Sequence, residues 1–215
     1  PFSSTFIVSM SIPLQARSGA WQPALELLEP ISLVRCCTSP LGRNLCMIVT
    51  ETAVHVYVTS DESPNLSFEP VTSFFLGCRA TGASWSPSTQ HASTAWRIEI
   101  LVATETNELR LLESVRQGSE ASTSNKKLAD THVRVSDLAW CASAGYESYA
   151  AAACADGTVR LWDLEGGCRT HYLNSPVLSV AFHPKVPKLL LAMESSGVGY
   201  LSLIHISEPT RPERI

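Results

Sequence analysis

The chain has 215 residues, 45% of them hydrophobic, which is ample apolar material for one packed domain or two small ones. Only 17% are charged and the formal net charge is -4, so a basic surface that tracks phosphates, and with it direct nucleic-acid binding, is not expected. No window of about 18 apolar residues occurs, which argues against membrane insertion through a helix, and the Phe2–Met10 run is too short and lacks the basic flank of a secretory leader.

In chain order, Pro1 stands where an initiator methionine would, and Phe2–Met10 reads as the inside of a strand-like run, so further sequence is expected to precede it. Ala24–Glu29 reads as a helical turn or short strand ahead of Pro30. Short, apolar or alternating segments rich in Val, Ile, Leu or aromatics then read as strands: Ile31–Cys37, Leu45–Thr50, Ala53–Val58, Ile98–Ala103, Glu108–Leu112, Ala150–Cys154, Val159–Trp162 and Leu189–Ala192. Seven cysteines with no Cys-x-x-Cys pair, Cys36 and Cys37 being neighbours, fit neither a disulfide framework nor a zinc site. Reduced thiols in a soluble protein of the cytosol or nucleus are expected.

Several of these segments close alike, with an apolar stretch ending on a bulky residue and a turn: Ala83-Ser84-Trp85-Ser86-Pro87, Leu138-Ala139-Trp140-Cys141 and Val180-Ala181-Phe182-His183-Pro184. Trp85 and Trp140 are 55 residues apart, Trp140 and Phe182 are 42. Four-stranded propeller blades recur at roughly 40–45 residues, and the longer interval is assigned to a loop insertion at the Ser- and Lys-rich 118–127 stretch. An earlier member, Val34–Pro40, is placed by taking Cys37 as the equivalent of Trp85. The expected fold is an all-β propeller with four blades at about 31–76, 79–130, 133–173 and 176–200 within residues 1–200.

The third unit has the clearest signature: Thr131-His132, a strand into Trp140, then Asp156-Gly157-Thr158-Val159-Arg160-Leu161-Trp162-Asp163. It resembles a WD repeat. In that family a His before the first strand, an Asp in the tight turn, a strand hydroxyl and the Trp of the WD pair form a hydrogen-bonded staple. The resemblance carries these roles to His132, Asp156 and Trp162, with Asp163 completing the dipeptide; the strand positions Ala152 and Cys154 lack the hydroxyl. The Asp-Gly step also suits a tight hairpin.

Leu164-Glu165-Gly166 after the WD pair, Asn174-Ser175-Pro176 before the next blade, and the endings at Trp85-Ser86-Pro87 and Phe182-His183-Pro184 resemble the thirty-seven-kilodalton WD-repeat nucleoporin family. The resemblance runs from about Ile31 to Tyr200 and is densest over Val133–Pro184. It implies a seven-bladed propeller that binds the large solenoid nucleoporin and other outer-ring subunits of the Y-shaped nuclear pore complex. It further implies a scaffold role supporting pore assembly and protein and mRNA transport at the nuclear envelope, and it leaves open a kinetochore visit in mitosis. Seven such blades need about 280–315 residues, so the expectation is a propeller piece with open blade edges, truncated at both ends. Leu201–Arg211 resembles the in-frame translation of a transposase sequencing adapter, and 201–215 is therefore set apart as a non-native tail.

Chemistry-bearing patterns are sparse. There is no Gly-x-Ser-x-Gly elbow and no phosphate-cradling glycine loop, and the histidines are never paired at metal-ligand spacing. No catalytic residue, cofactor, metal or small-molecule substrate is expected, and His183 reads as a turn residue. A WD adaptor of another complex, a ubiquitin-ligase substrate receptor or chromatin scaffold, is the alternative. Ligase receptors often carry Trp-Asp-x-Arg, whereas Trp162-Asp163 is followed by Leu164-Glu165, which favours the pore reading.

Overall fold

A computed structural model describes residues 27–62, 65–164, 166–186 and 189–203. The Phe2–Met10 run and residues 204–215 of the tail lie outside them. The described chain is all-β, with no helix, and its four small antiparallel sheets are arranged as the blades of a propeller.

Blade 1 runs β1 (Leu33–Cys36), β2 (Leu45–Val49), β3 (Ala53–Glu62) and β4 (Asn65–Phe75), each paired with the next. Blade 2 comprises β5 (Ala80–Trp85), β6 (Gln90–His91), β7 (Ala95–Thr104), β8 (Glu108–Gln117) and β9 (Glu120–Asp130), with β6 pairing on β7 beyond the end of β5. Blade 3 is β10 (Val135–Trp140), β11 (Tyr149–Cys154), β12 (Thr158–Asp163) and β13 (Gly167–Tyr172). Blade 4 has three strands, β14 (Val177–Phe182), β15 (Leu189–Glu194) and β16 (Gly199–Leu203), so its third strand extends three residues into the segment set apart in the sequence.

Three apolar cores lie between successive blades. Met47, Val54 and Val56 of blade 1 meet Ala83, Trp85 and Ile100 of blade 2. Leu101, Ala103 and Leu109 then meet Leu138, Ala150 and Trp162 of blade 3, and Ala151, Ala153 and Leu161 meet Val177, Val180 and Leu190 of blade 4. Alternation along a strand explains how one strand serves two cores: Ala150, Ala152 and Cys154 face blade 2 while Ala151 and Ala153 face blade 4. A strand covered on both sides reads as an unbroken apolar run, which is why Ala150–Cys154 and Leu45–Val49 are fully buried. Close approach is built in at Gly82, where an added Cβ would stand 3.3 Å from the Leu138 amide nitrogen, so β5 packs against the backbone of β10.

The blade endings superpose in hydrogen-bonding pattern. After Trp85, Trp140 and Phe182 the next amide bonds the neighbouring strand: Ser86 to the Glu99 carbonyl, Cys141 to that of Tyr149, His183 to that of Leu189. In blade 1 that amide belongs to Cys37, which bonds the Leu45 carbonyl. Cys36, not Cys37, is therefore the equivalent of Trp85, a one-residue correction that the near-identical side chains could not reveal. His183 forms a turn as expected, its Nδ1 accepting from the Lys185 and Val186 amides.

The insertion assigned to 118–127 is also corrected. These residues lie in the β8–β9 hairpin, where Gln117 pairs with Glu120 around Gly118 (φ 62°) and the pairing continues to Asp130. Longer strands, rather than a loop, account for the 55-residue interval. Side chains of β9 are exposed from Glu120 through Lys127, so no apolar alternation marks it as a strand. None of the seven cysteines forms a disulfide.

Candidate interaction surface

The first strand of each blade lines the axis of the propeller, and the axial end near the starts of β1, β5 and β10 holds a cleft of ≈ 210 Å³. Blades 2, 3 and 4 build this end by one repeated device. A tight turn after the second strand places its third residue at positive φ: Asn107 (59°), Gly157 (81°) and Gly197 (84°), each amide bonding back to Thr104, Cys154 and Glu194 respectively. The turn's first residue bonds the carbonyl just before the first strand: Glu105 to Arg79, Ala155 to Arg134, Ser195 to Pro176. Arg79 and Arg134 are thus structural equivalents on adjacent blades, and both line the cleft with Arg35 of β1.

Asp137 of β10 ties three blades together here. Its Oδ1 pairs with the Arg35 guanidinium and accepts the Leu138 amide, while Oδ2 accepts the Ser179 hydroxyl at 2.8 Å and the Val180 amide at 3.1 Å. Arg35 also donates to the Leu138 carbonyl at 3.0 Å, and its own carbonyl accepts the Trp85 indole N–H at 3.1 Å. Blade 1 is in this way joined to blades 2 and 3. Nothing in the sequence pattern marks Arg35, Asp137 or Ser179, because they are single polar residues from three separate strands.

The staple residues named from the sequence all fall in blade 3. Asp156 occupies the tight turn, its Oδ1 accepting the Thr158 amide at 3.1 Å and hydroxyl at 2.6 Å, and its Oδ2 lying 3.7 Å from Arg160. Arg160 reaches on to the Thr131 carbonyl, linking this hairpin to the β9–β10 connection. Trp162 is buried against Leu138 and Ala152. Asp163 ends β12 opposite Tyr149. His132 is exposed, adopts φ 56° and takes part in none of the described hydrogen bonds. The described link therefore runs through Thr158, Asp156, Arg160 and Thr131, of which the sequence reading named only Asp156 as a staple residue.

Polar groups are also concentrated in buried carboxylates. Burial favours the neutral form of Glu99, but hydrogen bonds from Ser88, Ser86 and Arg97 outweigh it and hold the carboxyl below its ordinary value. Among the described residues no group of three or more His, Cys, Asp or Glu side chains is placed to hold a metal ion, and no helix is long and apolar enough to cross a membrane.

Two faces lie outside the three inter-blade cores. On blade 4, Leu191, Met193 and Leu201 stand 43%, 40% and 65% exposed. On blade 1, Ile31, Val34, Cys36 and Phe68 border an apolar hollow of ≈ 320 Å³.

No family model matches the chain. Among curated proteins, it is similar to nucleoporin Nup37 of Mus musculus, 29% identical over 134 residues, and to nucleoporin Nup37 of Homo sapiens, 28% identical over 134 residues. Each match takes in 61% of this chain and 39% of the relative, so the chain spans about two fifths of the length of the curated relatives it matches. In sequence the chain is similar to nucleoporin Nup37 over 134 residues, and its own described fold is an all-β set of propeller blades.

Proposed function

We propose that this chain serves as a non-catalytic scaffold of the nuclear pore, in the outer-ring complex at the nuclear envelope, where it supports pore assembly and nucleocytoplasmic transport through protein–protein contacts. The observation that carries this reading is the similarity to nucleoporin Nup37 over 134 residues. The physical reading accords with it: blades packed on small and branched apolar side chains make a platform, and Arg35, Asp137 and Ser179 at the axial end tie blades together. The partners of this reading are the large solenoid nucleoporin and other outer-ring subunits, with no direct contact to nucleic acid and no insertion into the membrane.

The test is to tag the native locus, purify under mild salt and identify what accompanies the protein by mass spectrometry. Stoichiometric outer-ring subunits support the proposal. A cullin-type ligase or a histone-modifying complex, without pore subunits, overturns it and leaves a WD adaptor of another assembly.

A further inference from the structure

The axial cleft contains more positive charge than its own structure uses. Of the three arginines lining it, Arg35 is neutralised by Asp137. The guanidiniums of Arg79 and Arg134 make no hydrogen bond or ion pair with any described residue. The backbones beneath them are firmly placed, since the Arg79 carbonyl accepts the Glu105 amide and the Arg134 carbonyl accepts the Ala155 amide, each at 2.9 Å. Glu105, the acid beside Arg79, has one oxygen engaged by the Arg79 amide at 3.1 Å. Two equivalent cations from adjacent blades therefore border one recess, in a chain whose formal net charge is -4.

The size of the recess restricts its occupant. Pockets for drug-sized ligands are about 300–1,000 Å³, and ≈ 210 Å³ is below that range. A carboxylate side chain or two would fit, and planar guanidiniums present paired N–H donors that match carboxylate oxygens. We propose that Arg79 and Arg134 form a docking site for acidic side chains projecting from a segment of a protein partner. The proposal rests on the scaffold reading only in taking the occupant to be a protein. Arg35 has the separate task of holding Asp137 and does not join the set.

The test uses the full chain and a fluorescently labelled peptide of six consecutive glutamates, followed by anisotropy at low ionic strength, with a hexaserine peptide as control. The glutamate peptide binds and the serine peptide does not, affinity falls steeply with added salt, and Arg79→Ser with Arg134→Ser weakens binding about tenfold. Both positions are exposed, so circular dichroism of the variants should match the parent. Arg79→Glu with Arg134→Glu should reverse the preference and bind hexalysine. Equal glutamate-peptide binding by parent and double variant, or full displacement of that peptide by inorganic phosphate at equal concentration, overturns the proposal. Recovery of pore subunits with no peptide binding removes the acidic site and leaves the scaffold reading standing. Peptide binding through both arginines without pore subunits does the reverse.

Discussion

Arg35 of blade 1 and Asp137 of blade 3 form an ion pair although 102 residues separate them in sequence. The same carboxylate accepts from Ser179 and Val180 of blade 4, so one side chain joins three blades that share no strand pairing. Removing it should leave a partly buried guanidinium, a hydroxyl and two amides without their acceptor. Asp137→Ala is expected to destabilise the fold by about 3 kcal/mol, measured by urea denaturation with tryptophan fluorescence. Arg35→Ala should cost less, about 1 kcal/mol, because the Arg35 side chain is 32% exposed. Equal small losses for both would show that the node does not hold the blades.

The turn at Gly157 makes a sharper geometric demand. Its φ is 81°, and an added Cβ would stand 3.2 Å from the Ser175 carbonyl oxygen, which is backbone and cannot swing aside. Gly157→Ala should therefore cost about 1–2 kcal/mol or more. Gly118 also has positive φ, at 62°, but has open space around it, and Gly118→Asn should be close to neutral in the same melts. The contrast separates close approach from backbone conformation.

Acid should loosen blade 2 through Glu99. Burial alone would raise its pKa, but the hydrogen bonds from Ser88, Ser86 and Arg97 bring it below the ordinary 4.5. A carboxyl with a depressed folded pKa adds stability above its unfolded value, and that contribution is lost as pH falls through the folded value. Glu99→Gln should thus lower the melting temperature most at pH 7, with the gap to the parent narrowing below about pH 4.5. A gap that stays constant to pH 3 would show that the charge of Glu99 does not matter.

The exposed face of blade 4 should promote self-association. Leu191, Met193 and Leu201 present an apolar stripe, and among the described residues no further strand pairs with β16. Leu191→Lys with Met193→Lys should reduce light scattering of the concentrated chain while leaving its circular dichroism unchanged. Undiminished scattering would place the contact elsewhere, with the apolar hollow of blade 1 the next face to substitute.

Much of the architecture is legible in the sequence alone. Strands such as β2, β7, β11 and β12 carry runs of apolar residues because they lie between two cores, and the repeated Trp or Phe endings of β5, β10 and β14 mark successive first strands. The outermost strands were not legible in the same way. In β9 and β13 the side chains are mostly exposed on both faces, so backbone pairing alone makes them strands, and pairing leaves no trace in hydropathy. The exchange of Cys36 for Cys37 has a related cause, since two adjacent thiols are alike as letters and only the Cys37 amide bond to Leu45 distinguishes them.

By itself, then, the sequence determined the class of fold and the likeness to a nucleoporin, because these depend on local periodicity and on short turn chemistry repeated along the chain. Only the tertiary structure decided which polar residues act together. Arg35, Asp137 and Ser179 meet at the axis, and Arg79 and Arg134 border one cleft, because successive blades wrap their first strands around a common centre. That closure brings together residues dozens of positions apart, and no local pattern along the chain records it.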